Sequence, residues 1–133
     1  MEESYLRIID ANTNRLREGI RVVEDIFRYI YDNKDISSKL KNLRHKVRSS
    51  NYQKLLLCRN IKDDCLKDST KSEISRKDIN DILISNFKRA QESSRVLEEI
   101  TKLNNIRENS EVFKNIRYEL YDIEKVLINL DNR

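Results

Sequence analysis

The chain has 133 residues, of which 38% are charged and 38% apolar, with one glycine and no proline. This suits one compact domain but excludes barrels, hairpin-rich sheets and Gly-rich nucleotide loops, all of which need glycine where the backbone turns sharply or approaches a phosphate. A balance of 27 basic against 23 acidic side chains, net +4, is too slight an excess to indicate nucleic acid, and a single histidine leaves chemistry to Arg, Lys, Asp, Glu and Asn.

The scarcity of turn residues predicts an all-α fold. From Tyr5 to Tyr31, apolar residues at Tyr5, Ile9, Leu16, Ile20, Val23, Phe27 and Ile30 keep the three-and-four spacing of a long amphipathic helix. Asp32, Asn33 and Asp35 break it, and Ile36, Leu40, Leu43 and Val47 repeat the spacing for a second helix, antiparallel to the first. After a break at Ser49 to Asn51, Gln53 to Arg59 reads as a short third helix carrying Leu55, Leu56 and Leu57. Asn60 to Ser72 is polar and unpatterned, the one long loop. Ser75 with Asp78 three residues on has the form of a capping box opening a fourth helix, whose apolar positions run from Ile79 to about Leu103, with Asn104 and Asn105 at its end. Phe113, Ile116, Leu120, Ile123, Leu127 and Leu130 then form an unbroken seam on a fifth.

No apolar run approaches the roughly 20 residues of a membrane span, and Met1 is followed by Glu2 and Glu3, so neither a membrane partner nor a signal peptide is expected and the protein is placed in the cytoplasm. Cys58 and Cys65 lack metal-site spacing and read as free thiols.

The chain contains an internal duplication. Asn12, Arg15, Glu18, Arg21, Val22 and Glu24 recur at a constant offset as Asn86, Arg89, Glu92, Arg95, Val96 and Glu98, each copy reading N-x-x-R-x-x-E-x-x-R-V-x-E. The helix after each also matches, Lys41-Asn42-Leu43-Arg44-His45 against Lys114-Asn115-Ile116-Arg117-Tyr118. A single helical domain over residues 1–133, built from two helical hairpins at roughly 3–50 and 75–130, is expected. In the first copy Ile8, Asn12, Arg15, Gly19, Val22 and Ile26 form one stripe, so an amide and a guanidinium interrupt an apolar, core-facing surface. Ile82, Asn86, Arg89, Ser93, Val96 and Ile100 repeat it. Placing Asn and Arg on such a stripe costs desolvation unless something satisfies them there, and a small residue one turn further on leaves room for an anion or for a facing helix.

The rigid fork of an arginine matches phosphate oxygens, which makes phosphate the natural guest of Arg15 and Arg89, with Asn12 and Asn86 beside them. Glu18 and Glu92 either hold Mg²⁺, which takes one or two protein carboxylates and completes its shell from water and phosphates, or pair with the neighbouring arginines. Arg44, His45, Arg59 and Arg117 add positive charge. Tyr29, Tyr31, Phe87, Tyr118 and Tyr121 offer rings for stacking on a substrate, with core packing the commoner use of such residues. Phosphoryl transfer needs chiefly positioning and charge neutralisation, which such side chains on helices supply.

The stretch from Ile9 to Asp25, IDANTNRLREGIRVVED, resembles the signature of a small family in thiamine biosynthesis, the monofunctional hydroxymethylpyrimidine phosphate kinases, found alone or fused ahead of thiamine phosphate synthase. Arg76, Asn86 to Glu92, Arg95 to Glu99, Leu43-Arg44-His45 and Ile116 to Tyr121 extend the resemblance over most of the chain. It implies a helical kinase that moves the γ-phosphate of ATP onto 4-amino-5-hydroxymethyl-2-methylpyrimidine phosphate, with Mg²⁺. The acceptor is already an anion, so no strong base is required. The fused arrangement also permits, as the second reading, a non-catalytic accessory domain that partners thiamine phosphate synthase. Whether one chain or a homo-oligomer closes the site is left open. The chain departs from the family at Ser94, where a packing leucine is usual and lower local stability is expected, and in the loop after Arg59, where Asp63, Asp64, Cys65 and Leu66 include no glycine.

Overall fold

The computed structural model of the chain describes residues 2–48, 51–69, 74–103, 106 and 109–130. They form five α-helices, α1 (Glu2–Tyr29), α2 (Lys34–Lys46), α3 (Tyr52–Cys58), α4 (Ile79–Ile100) and α5 (Ser110–Glu124), followed by a 3-10 turn at Lys125–Asn129. The fold is all-helical, as expected, and among the described residues no helix is long and apolar enough to cross a membrane.

The helix ends follow local chemistry. Asp32 takes a left-handed conformation (φ 49°) after α1, a role an aspartate tolerates and which this chain fills without glycine. Asn33 then caps α2, its Oδ1 accepting from the Ile36 N–H at 3.0 Å. The cap of α4 is not Ser75 but Asp78, which has an extended backbone and accepts from the Asp81 N–H at 2.8 Å, while Asp81 reaches back to the Lys77 N–H at 3.1 Å. The expected box is therefore displaced by three residues, because Asp78 itself has the acceptor and an acid three positions on. α4 stops at Ile100, short of Leu103, where the Thr101 hydroxyl donates to the Leu97 carbonyl at 2.6 Å. The expected seam of the last helix tightens into the 3-10 turn beyond Glu124, although Leu127 and Leu130 still pack on the core. Ser49 and Ser50, Thr70 to Ser72, and Asn104 and Asn105, to which breaks or loop were assigned, lie outside the described residues.

α1 and α4 form the central pair. Ile8, early in α1, shares a groove with Val96 and Ile100 late in α4, whereas Gly19 lies against Asn86 and Ala90, so the two run antiparallel. Each carries its own hairpin partner, α2 on α1 and α5 on α4, and α3 packs on α1. Leu16, Ile20, Val23 and Phe27 meet Leu40 and Leu43, Leu83, Phe87 and Leu97, and Ile116 and Leu120 in a core from which water is excluded. α3 is anchored by the buried Leu55, with the half-buried Cys58 beside it on the core; Leu56 and Leu57 are exposed. A Cβ on Gly19 would stand 3.2 Å from the Asn86 carbonyl oxygen and 3.4 Å from Ala90, so the glycine serves the approach of the facing helix.

Candidate functional site

A cleft of about 620 Å³ opens along the first half of α1, between Arg7, Asn12 and Arg15 on the helix and Arg59, Ile61 and Asp64 on the segment leaving α3. With Ile8 and Ala11, which also line it, the α1 residues fall in the rows Arg7, Ala11, Arg15 and Ile8, Asn12, Arg15, which places them on one side of the helix. The expected stripe lies at the rim of the core and not on it: Asn12, Gly19 and Ile26 are buried, but Ile8 and Val22 are over a third exposed and Arg15 faces solvent. In the second copy Ser93 is buried, whereas Arg89 and Val96 are exposed. The centre of the apolar face runs through Leu16, Ile20, Val23 and Phe27, and a residue one position from it is turned about 100° away.

Arg15 and Arg89 are set apart from the other arginines named above. Among the described residues neither guanidinium has an ion-pair or hydrogen-bond partner, whereas Arg21, Arg44, Arg59, Arg95 and Arg117 all hold carboxylates. Gly19, one turn beyond Arg15, touches the Asn86–Ala90 turn that carries Arg89, so both free cations belong to the same level of the α1/α4 crossing. Asn12 and Asn86 turn their amides the same way, each Nδ2 donating at 2.9 Å to the carbonyl four residues back, Ile8 and Ile82.

Arg44 and Arg117, expected to add charge to the site, are each closed on a buried glutamate. Arg44 donates from Nε and Nη2 to Glu24 at 2.7 and 3.3 Å, and Arg117 does the same to Glu98 at 3.0 and 3.3 Å. Hydrogen bonding to those carboxylates, Tyr121 adding to it at Arg117, holds both guanidiniums above their ordinary range, so they stay charged at any working pH. Glu24 and Glu98 thus bond across to the neighbouring helix, each also meeting the arginine three positions before it, Arg21 and Arg95. Tyr118 and Tyr121, expected in the core, are exposed and brace Arg117, whose guanidinium carbon lies 4.9 and 5.7 Å from their ring centroids. Tyr29 is exposed as well, while Phe87 is in the core and Tyr31 stacks on Phe27. His45 is exposed on the last turn of α2, away from the cleft lining.

Arg59 reaches the cleft from the end of α3, where Nε and Nη2 each meet an oxygen of Asp10 at 2.8 Å. Asn14 Nδ2 approaches the same carboxylate at 3.5 Å, and Arg7 donates to the Asn60 carbonyl at 3.1 Å, tying the segment after α3 to α1. Glu18 and Glu92 are exposed and, among the described residues, form no ion pair with Arg15 or Arg89. Among those residues no group of three or more His, Cys, Asp or Glu could hold a metal by itself. A cation brought in on phosphates asks only one or two carboxylates of the protein, and free exposed glutamates one turn from the arginines fit that donor set.

The pattern of the ThiD2 family matches residues 7–126. The chain belongs to the ThiD2 family. It is 38% identical over 128 residues to the thiamine-phosphate synthase of Prochlorococcus marinus subsp. pastoris, an alignment covering 96% of this chain and 36% of that protein. To the thiamine-phosphate synthase of Thermosynechococcus vestitus it is 37% identical over 122 residues, 91% of this chain and 34% of the relative. The ThiD2 chain therefore spans about a third of the length of these relatives. No solved structure matches it.

Sequence reasoning missed Asp10, Arg7, Asn14 and Ile61 as part of the ThiD2 cleft. A signal for Asp10 was present: an acid one turn after Leu6, on the buried side of α1, needs a partner. The partner, Arg59, lies on another element, which periodicity does not relate to α1.

Proposed function

We propose that this ThiD2 chain acts in thiamine biosynthesis as a kinase, moving the γ-phosphate of ATP onto 4-amino-5-hydroxymethyl-2-methylpyrimidine phosphate. The observation that carries the reading is the pair of unpartnered guanidiniums at the α1/α4 crossing: Arg15 lines a cleft of about 620 Å³, and Arg89, outside that lining, is carried by the α4 turn that Gly19 touches. A free cation at such a place is a standing attraction for phosphate, and two suit the crowded negative charge of a donor and an acceptor phosphate. In the transfer, an acceptor phosphate oxygen forms a new P–O–P link to the γ-phosphorus as the bond to the ADP oxygen breaks. No proton need be removed, so the transfer asks for no general base.

Arg15 and Arg89 neutralise the phosphates, Asn12 and Asn86 orient them through the remaining hydrogen of each Nδ2, and Arg59 closes the far wall. Glu18 and Glu92 are the carboxylates to contact Mg²⁺, which when bound screens the ATP phosphates. Arg44 and Arg117 are left to the fold. The similarity to relatives named thiamine-phosphate synthase, of which the chain spans a third, supports the pathway and also favours a second reading, a non-catalytic domain that serves the synthase.

The test is direct. Purified chain with Mg-ATP and the pyrimidine monophosphate is expected to release ADP and yield the diphosphate, read by phosphorus NMR. Absence of turnover, with co-purification of thiamine-phosphate synthase, would replace the kinase by the accessory domain.

A further inference from the structure

Among the described residues three carboxylate–guanidinium clamps cross between elements, and they differ in whether both repeats possess them. Glu24–Arg44 and Glu98–Arg117 occupy matching positions, each tying a hairpin together. Asp10–Arg59 occurs once. The position equivalent to Asp10 in the second repeat is Ile84, 45% exposed, which cannot hold a guanidinium. A contact used twice serves what the repeats share, the hairpin; one found only where a cleft opens serves the cleft. Arg59 and Asp10 both line it, and Arg44 and Arg117 do not.

The geometry sharpens this. Asp10 is 7% exposed, and its two oxygens take Nε and Nη2 of Arg59, each at 2.8 Å. A fork held along that edge is fixed in plane and direction. Five N–H donors are available on a guanidinium and this grip uses two, leaving both hydrogens of Nη1 unspent. No protein group among the described residues accepts from Nη1.

We propose that Asp10 is a positioning residue, which by gripping one edge of Arg59 presents Nη1 to the phosphate of the bound ligand opposite Arg15. The inference rests on the reading of the cleft as a phosphate site. It makes the two halves of the molecule unequal: the first repeat holds its ligand between two guanidiniums, one free and one aimed, while the second offers Arg89 alone.

Isothermal titration of the full chain with the pyrimidine monophosphate, and separately with Mg-ATP, tests this on wild type, Asp10→Asn, Arg59→Lys, the double variant and Glu24→Gln. Wild type is expected to bind. Asp10→Asn and Arg59→Lys each weaken binding of one of the two ligands by about ten- to a hundredfold, the range for losing a hydrogen bond to a charged group. The double variant is expected to be little weaker than either single one, because both break the same device. Glu24→Gln, which breaks a clamp outside the cleft, lowers the melting temperature and leaves affinity unchanged. If Asp10→Asn does not fold, Asp10→Glu carries the test: weakened binding in a folded protein supports the inference and unchanged binding overturns it. Wild-type affinity in folded Asp10→Asn would remove the positioning role alone. A wild-type chain that binds neither ligand would remove the phosphate-site reading and the inference with it.

Discussion

Ser94 puts a hydroxyl where a packing leucine is usual, and that hydroxyl has a partner. It is fully buried, and its Oγ donates to the Phe113 carbonyl at 2.6 Å, fastening α4 to the first turns of α5. Ser94→Ala is therefore expected to cost about 1 kcal/mol in urea unfolding, the usual worth of one such bond, and Ser94→Leu more, since no space awaits the larger side chain. A gain in stability for the leucine variant would show that the hydroxyl is a defect after all. The same contrast between partnered and free polar groups separates the arginines. Arg15→Ala and Arg89→Ala are expected to abolish turnover with helical circular dichroism intact, because neither guanidinium holds anything in the protein; full activity in both would refute their assignment to phosphate. Residue type and spacing revealed these two positions. They did not reveal that Arg44 and Arg117 are engaged, since a cation's partner on another helix leaves no trace in the periodicity of its own.

At the scale of elements, periodicity located five helices to within a few residues, because burial at every third and fourth position marks a helix whatever its ends do. The ends depend on single hydrogen bonds, and there the reading slipped: Asp78 outcompetes Ser75, and Thr101 stops α4 early. Gly19 shows how a pairing of elements can rest on one atom. In an isolated helix Gly19→Ala would add about 1 kcal/mol of helix propensity. Here the new Cβ meets a backbone carbonyl at 3.2 Å, which can yield only if α1 and α4 part slightly, so the expected gain is absorbed. Gly19→Val, whose branched carbons have nowhere to go, is expected to destabilise by about 1–3 kcal/mol. Thermal unfolding of the two variants distinguishes this from a glycine placed to admit a ligand: in that case valine would spare stability and impair binding.

For the whole molecule, the duplication in the sequence suggests two hairpins, and the contacts show why neither suffices. Leu16 and Ile20 of α1, and Leu83 and Phe87 of α4, are fully buried, yet α2 and α5 each cover only one side of their partner helix. The remaining side of α1 is closed by α4, and that of α4 by α1, so the largest apolar surface in the protein lies between the repeats and not within them. Cutting the chain in the segment between α3 and α4, at about residue 70, should therefore give two fragments that are largely unstructured alone. An isolated hairpin would expose the apolar face it now turns to the other, and fewer than 70 residues rarely bury enough surface to stand without it. Mixed in equal amounts, the fragments are expected to recover helical circular dichroism, and the intact chain to unfold in a single cooperative transition. Two separate transitions in the intact chain, or one fragment fully helical by itself, would mean that the hairpins are autonomous and that the close crossing at Gly19 is a consequence of folding rather than its condition.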